Sequence, residues 1–164
     1  MTHQHKKRST QAPSRRQCLQ LAAFAALPAW WTAHAANAAP VVEVWKSPTC
    51  GCCKDWIRHL QGHGFTVKTH DEGNDAARSR LGMPQRYGSC HTALVGGYAI
   101  EGHVPAREIQ RLLKERPQAV GLAVPAMPIG SPGMDGPEYK GRKDPFDVLL
   151  VRRDGGASVY HHYN

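Results

Sequence analysis

Val41-Val42-Glu43-Val44-Trp45-Lys46-Ser47-Pro48-Thr49-Cys50-Gly51-Cys52-Cys53 changes its periodicity halfway along. The β-branched and aromatic run from Val41 to Trp45 predicts a strand, and Pro48 stops it inside the turn Ser47 to Gly51. From Cys52 onward Cys53, Trp56, Ile57 and Leu60 recur at helical spacing, until Gly62 and Gly64 end the pattern. A strand is thus expected to pass through a tight turn into a helix, with three cysteines at the joint. Working outward, Phe65 to His70 reads as a second strand, and Asn74 to Leu81 as a short helix closed by Gly82 and Pro84. Thr92 to Val95 and Tyr98 to Glu101, joined by Gly96-Gly97, read as a tight hairpin. Pro105 starts a helix with Ile109, Leu112 and Leu113 on one stripe, and Pro117 ends it. The order β-α-β-α-β-β-α over Val41 to Arg116 is that of an α/β domain of the thioredoxin-like class. A Pro/Gly-rich segment from Pro117 to Asp144 follows, longer than a usual structureless connection. Phe146 to Val151 and Ala157 to Tyr160, linked by Asp154-Gly155-Gly156, read as a terminal β-hairpin.

Residues 1–38 have a different character. Lys6, Lys7, Arg8, Arg15 and Arg16 come without a single acidic residue, followed by an apolar run from Leu19 to Ala29. A basic region, a short apolar core and small residues at a cleavage site mark an export signal. Ala36-Asn37-Ala38 fits the cleavage pattern with Ala39 as the new N-terminus, and Ala33-His34-Ala35 fits nearly as well. The apolar run is shorter than the roughly 20 residues a membrane span needs. Arg15-Arg16 suits a twin-arginine signal, and an ordinary Sec signal accounts for the same residues. Residues 39–164 are then the exported domain, with a periplasmic location. The chain has 21 Lys+Arg against 13 Asp+Glu, and without the five basic residues of the signal 16 stand against 13. The basic excess belongs mostly to targeting, and no remaining segment clusters Lys and Arg with aromatics, which argues against nucleic acid as a partner.

Of five cysteines, all but Cys18 lie in the exported domain. An even count in an oxidising compartment usually means disulfide staples. Cys50, Cys52 and Cys53 are too close together to staple distant parts of a fold. Cys50 and Cys53 have the C-x-x-C spacing at a strand-to-helix joint, where free N–H groups and the helix dipole favour the thiolate. A thiolate is both the nucleophile of disulfide exchange and the soft ligand that selects copper(I). Cys52 favours the metal, because exchange needs only an attacking and a resolving sulfur. Cys90-His91-Thr92 enters the third strand, opposite the cysteine motif, and supplies a fourth thiolate. His91 is open between a nitrogen ligand and a loop cap. Met127 and Met134 offer thioethers, soft ligands that also fill core gaps. His103 stands just ahead of the helix at Pro105, either structural or near the cluster. Trp45 and Trp56 read as core that dries the site, and His59, His63, His70, His161 and His162 as solvated.

Several of these segments resemble the CopG-like copper-resistance proteins of bacteria. They are Lys46 to Cys53, Ser89-Cys90-His91-Thr92-Ala93, Gly96-Gly97-Tyr98, Ile100 to Ala106, Gly121 to Pro125, Met127-Pro128, Gly130 to Met134 and the final hairpin. The likeness spans essentially all of residues 39–164. It implies an exported protein that holds several copper ions in a cluster bridged by cysteines. It also implies a redox role, interconverting copper oxidation states for other copper-handling proteins of the periplasm or with an electron donor.

Three functions therefore follow from different chemistry. The first is copper(I) binding, with a copper oxidoreductase step as an extension. The second is thiol–disulfide exchange by Cys50 and Cys53. The third is a structural zinc site, since sulfur-rich tetrahedral sites suit zinc as well.

Overall fold

The structure, a computed structural model, describes residues 39–164, so the expected export signal lies outside the described residues. Seven strands form one mixed sheet, in the order β2-β1-β3-β4-β5-β6-β7. They are β1 (Val41–Lys46), β2 (Thr66–His70), β3 (His91–Val95), β4 (Tyr98–Glu101), β5 (Gly121–Ala123), β6 (Phe146–Val151) and β7 (Ala157–Tyr163). Three helices accompany them: α1 (Gly51–Gly62), α2 (Asp75–Arg80) and α3 (Ala106–Glu115). The expected order of elements from Val41 to Arg116 is the order found. β1 pairs parallel with β2 and β4 with β5, and the remaining pairs are antiparallel.

Alternation along the strands divides the core between two faces. Val42 and Val44 of β1, Ala93 and Val95 of β3 and Ile100 of β4 pack with Trp56 and Leu60 of α1 and Ile109 and Leu112 of α3. On β4 the neighbouring Ala99 belongs to a smaller cluster with Met83, Ala123 and Val151. The two large helices are tied directly: the Trp56 indole donates to the Val104 carbonyl at 2.8 Å, and the Ala106 N–H at the start of α3 donates to His59 Nε2 at 3.0 Å. His59 is thus half-buried and bonded, not solvated as its scattered position suggested.

The Pro/Gly-rich segment departs from the sequence reading. Gly121–Ala123 forms β5, a strand of three residues too short to show a period of two. Through it the terminal hairpin joins the main sheet, with Leu122 opposite both Ile100 and Leu150. The hairpin's last strand also continues to Tyr163, beyond the expected Tyr160. Among the described residues no helix is long and apolar enough to cross a membrane.

Candidate metal centre

The joint between β1 and α1 sets three sulfurs. Cys50 occupies the N-cap of α1, its own N–H bonded back to the Ser47 carbonyl at 3.1 Å, and no side chain caps the helix. The first-turn N–H groups therefore face the cysteine loop with the positive end of the helix dipole. Cys53 is fully buried, whereas Cys50 and Cys52 are half-buried. Gly133 lets the Pro/Gly-rich segment lie against this turn. It has φ +85°, and a Cβ there would stand 2.6 Å from the Cys52 carbonyl oxygen and 2.7 Å from the Trp56 nitrogen.

Cys90, one residue before β3, brings the fourth sulfur. Its Sγ is 3.9 Å from that of Cys52, which is 3.6 Å from that of Cys50. All four sulfurs lie within 4.8 Å of one another. With metal–sulfur bonds of about 2.3 Å, as zinc shows, two sulfurs on one ion stand about 3.8 Å apart in a tetrahedron and about 4.6 Å apart in a line. The spacings found are of that size. Cys50 and Cys53 are joined as a disulfide in the form described, leaving Cys52 and Cys90 as free thiols. Four thiolate donors become available only when that bond is reduced.

A second donor set shares Cys90. The Sγ of Cys90, Nδ1 of His91 and Nε2 of His103 also lie within 4.8 Å of one another. His103 Nε2 is 3.1 Å and His91 Nδ1 3.3 Å from the sulfur, and both rings are fully buried. His103 Nδ1 lies 2.8 Å from the Pro132 carbonyl, which can only accept, so Nδ1 carries the hydrogen and Nε2 turns its lone pair to Cys90. A ring nitrogen fixed by a hydrogen bond from its partner nitrogen to a backbone carbonyl is the usual support of a metal-binding histidine. His91 Nε2 has no hydrogen-bond partner among the described residues. Its ring instead packs against Trp56, centroids 4.2 Å apart.

Burial sets the electrostatics. It pushes the Cys90 thiol up to about 12, helped by the charge of Cys52 and a hydrogen bond with it, against a smaller pull from Ser89. Burial also lowers His103, against the bond to Pro132, and lowers His91 well below its ordinary value, with the neighbouring His103 acting in the same direction. The metal-free site thus holds a protonated thiol donating to a neutral imidazole. A metal ion at Cys90 must displace that proton.

The remaining candidates separate. Met127 is exposed, with Sδ 4.0 Å from Cys52 Sγ, at the solvent edge of the cluster. The Met134 thioether accepts a hydrogen bond from the Tyr139 hydroxyl at 3.4 Å. Trp45 and Trp56 are core, as expected. The sequence left His103 as either structural or near the cluster and did not pair it with Cys90, because twelve residues and a hairpin lie between them. The usable signal was the hairpin itself, which returns Gly102 to His91, the Gly102 N–H donating to the His91 carbonyl at 3.0 Å.

A profile for a protein family of unknown function, DUF411, matches residues 87–134, the segment from the Cys90 approach to Met134. None of the curated proteins compared matches the chain. Two solved structures of a copper resistance protein CopG are similar to it. Form 2 is 46% identical over 77% of this chain and 99% of its own, with a TM-score of 0.71. Form 1 is 48% identical over 75% of this chain and 96% of its own, with a TM-score of 0.69.

Proposed function

Because the chain belongs to the CopG-like family of copper-resistance proteins, we propose that it is an exported, periplasmic protein that takes up copper(I) as a cysteine-bridged group of several ions. Cys50, Cys52, Cys53 and Cys90 are the bridging thiolates. His91 and His103 bind from the buried side, and Met127 from the solvent side. Met134, held by Tyr139, supports the loop. The convergence of four sulfurs within 4.8 Å carries this reading. Sulfurs this close can serve one soft ion or be shared between several, and soft thiolates select copper(I). Copper here is cargo. The protein supplies softness, a fixed spacing and a partly dry surround from Trp56.

A redox step uses the same atoms as an alternative to holding copper, since closing the disulfide withdraws Cys50 and Cys53 from the ligand set. The reduced Cys50–Cys53 pair, on closing to the disulfide, releases two electrons, and two copper(II) ions each take one to become copper(I). The two thiol protons leave to solvent. Return to the open pair requires an external two-electron dithiol reductant. Copper-handling proteins of the periplasm are the partners that give or take the ions.

The Cys50–Cys53 disulfide also favours a second reading, plain thiol–disulfide exchange with Cys50 as nucleophile and Cys53 as resolving thiol. Metal analysis of the reduced protein together with one variant separates the two. Copper binding predicts more than one copper per chain, and less copper in Cys52→Ser with the fold kept. Exchange predicts insulin reduction that survives Cys52→Ser. Zinc in place of copper, or unchanged copper content in Cys52→Ser, contradicts the proposal.

A further inference from the structure

Behind the metal centre lies a largely buried ionic cluster whose charged groups make no hydrogen bond to the sulfurs; only the Ser89 hydroxyl at its centre reaches Cys90 Sγ, at 4.0 Å. Glu101, fully buried in β4, faces Thr92 of β3 and accepts its hydroxyl at 2.6 Å on Oε2. Its Oε1 accepts Arg78 Nε at 3.0 Å and the Ser89 N–H at 2.6 Å. Arg78, on α2, is 4% exposed and also donates to the Ser89 carbonyl at 2.8 Å. Asp75 and Gln85 accept from its other terminal nitrogen at 2.7 and 3.0 Å. Asn74, at the N-cap of α2, makes no capping bond. It donates instead to the Ser89 carbonyl and to Thr92 Oγ1, both at 3.2 Å. Gly102, at φ +69°, leaves the room: a Cβ there would stand 2.6 Å from Ser89 Cβ.

Ser89 therefore has its N–H and its carbonyl both held by side chains, outside the β ladder. It is the residue immediately before Cys90. A buried ion pair is a poor way to gain stability, since desolvating two charges offsets much of their attraction. What it does supply is direction: fixed donors and acceptors that an apolar cluster lacks. Ligand sulfurs have to be held to within about half an ångström of the productive geometry, and by residues that are themselves locked.

We propose that Arg78 and Glu101 are positioning residues for the Cys90 sulfur, clamping the Ser89 main chain so that Sγ stays within sharing distance of Cys52. This rests on the reading of Cys90 as a copper ligand. The clamp grips the main chain immediately before Cys90, so most of its contribution to copper binding is lost when the Cys90 sulfur is removed, although its contribution to folding remains.

A double-mutant cycle on the full chain tests this. Arg78→Lys, Glu101→Gln and the milder Asn74→Ala are each placed in the parent and in a Cys90→Ser background. Copper(I) affinity is measured on reduced protein by competition with bicinchoninate, alongside the near-ultraviolet copper–thiolate absorption and the melting temperature. In the parent, Arg78→Lys and Glu101→Gln weaken copper(I) at least tenfold and Asn74→Ala about threefold, with a changed absorption band. In the Cys90→Ser background the same substitutions change affinity less than twofold, while the melting temperature falls as it does in the parent. Equal losses of affinity in both backgrounds, or lowered melting with no loss in the parent, overturn the clamp. If the two charge variants fail to fold, the Asn74→Ala cycle decides alone by the same criterion. Cys90→Ser that by itself leaves copper affinity unchanged overturns the ligand reading as well, and is recognised without any clamp variant.

Discussion

Cys50 to Cys53 and Cys90 meet at one point, but their positions have different origins. The first three sulfurs are fixed by regular backbone: a strand, a turn and the opening of a helix, whose spacing follows from a few consecutive residues. Cys90 stands outside any regular element, and the residue before it is held by Arg78, Glu101 and Asn74, drawn from β4, α2 and its N-cap. The contrast teaches how such a centre divides its work. On the helical side Cys50 and Cys53 are joined as a disulfide between the N-cap and the first turn of α1. On the Cys90 side one sulfur lies between the other three and two buried imidazoles.

The largest expected effect comes from the helical side. Cys50→Ser removes a thiolate and the disulfide together. Copper(I) affinity should fall by about a hundredfold or more, about 2.7 kcal/mol, with circular dichroism unchanged. Affinity within threefold of the parent would show that Cys50 is not a ligand. Next is the contact of the Pro/Gly-rich loop with the helical side. Gly133→Ala forces a β-carbon toward the Cys52 carbonyl and places alanine at φ +85°. It should lower stability by at least about 2 kcal/mol in denaturant unfolding, whereas Gly51→Ala, with open space around its Cβ position, should change it far less. Equal effects would mean that the loop does not lie on the helix start.

A smaller effect distinguishes the Cys90 side by pH. Its thiol is raised from 9.0 to about 12, so the folded, metal-free protein holds this proton more tightly than the unfolded chain. That contribution to stability is complete below about pH 9 and is lost as pH rises through about 12. The melting temperature of metal-free protein should therefore decline above pH 9, and Cys90→Ser should flatten the decline. Parallel curves would place the alkaline loss elsewhere. The smallest effect is expected at the solvent edge: Met127→Leu should weaken copper(I) binding no more than about fivefold, about 1 kcal/mol, measured by the same chelator competition. A hundredfold loss would make the thioether a principal ligand.

The same contrast explains what the sequence made legible. The strand-turn-helix joint, the hairpin around Gly96-Gly97 and the stripe Ile109, Leu112 and Leu113 are local patterns, and each appears within a residue or two of its predicted place. The grouping of Cys90 with the other sulfurs followed from element order alone. What stayed hidden depends on contacts between distant segments. β5 is too short to carry a period, and only its partners β4 and β6 make it a strand. The pairing of Glu101 with Arg78 exists only because β4 and α2 are brought together around Ser89. His103, by sequence either structural or near the cluster, is aimed at Cys90 by the Pro132 carbonyl that fixes its ring.

Copper K-edge X-ray absorption on the reduced, copper(I)-loaded protein tests the shared-sulfur centre most directly. The account predicts a first shell dominated by sulfur, with a minor nitrogen contribution and a copper–copper scattering path that Cys90→Ser diminishes. A nitrogen- or oxygen-only shell, or sulfur-bound copper with no copper neighbour, would contradict it.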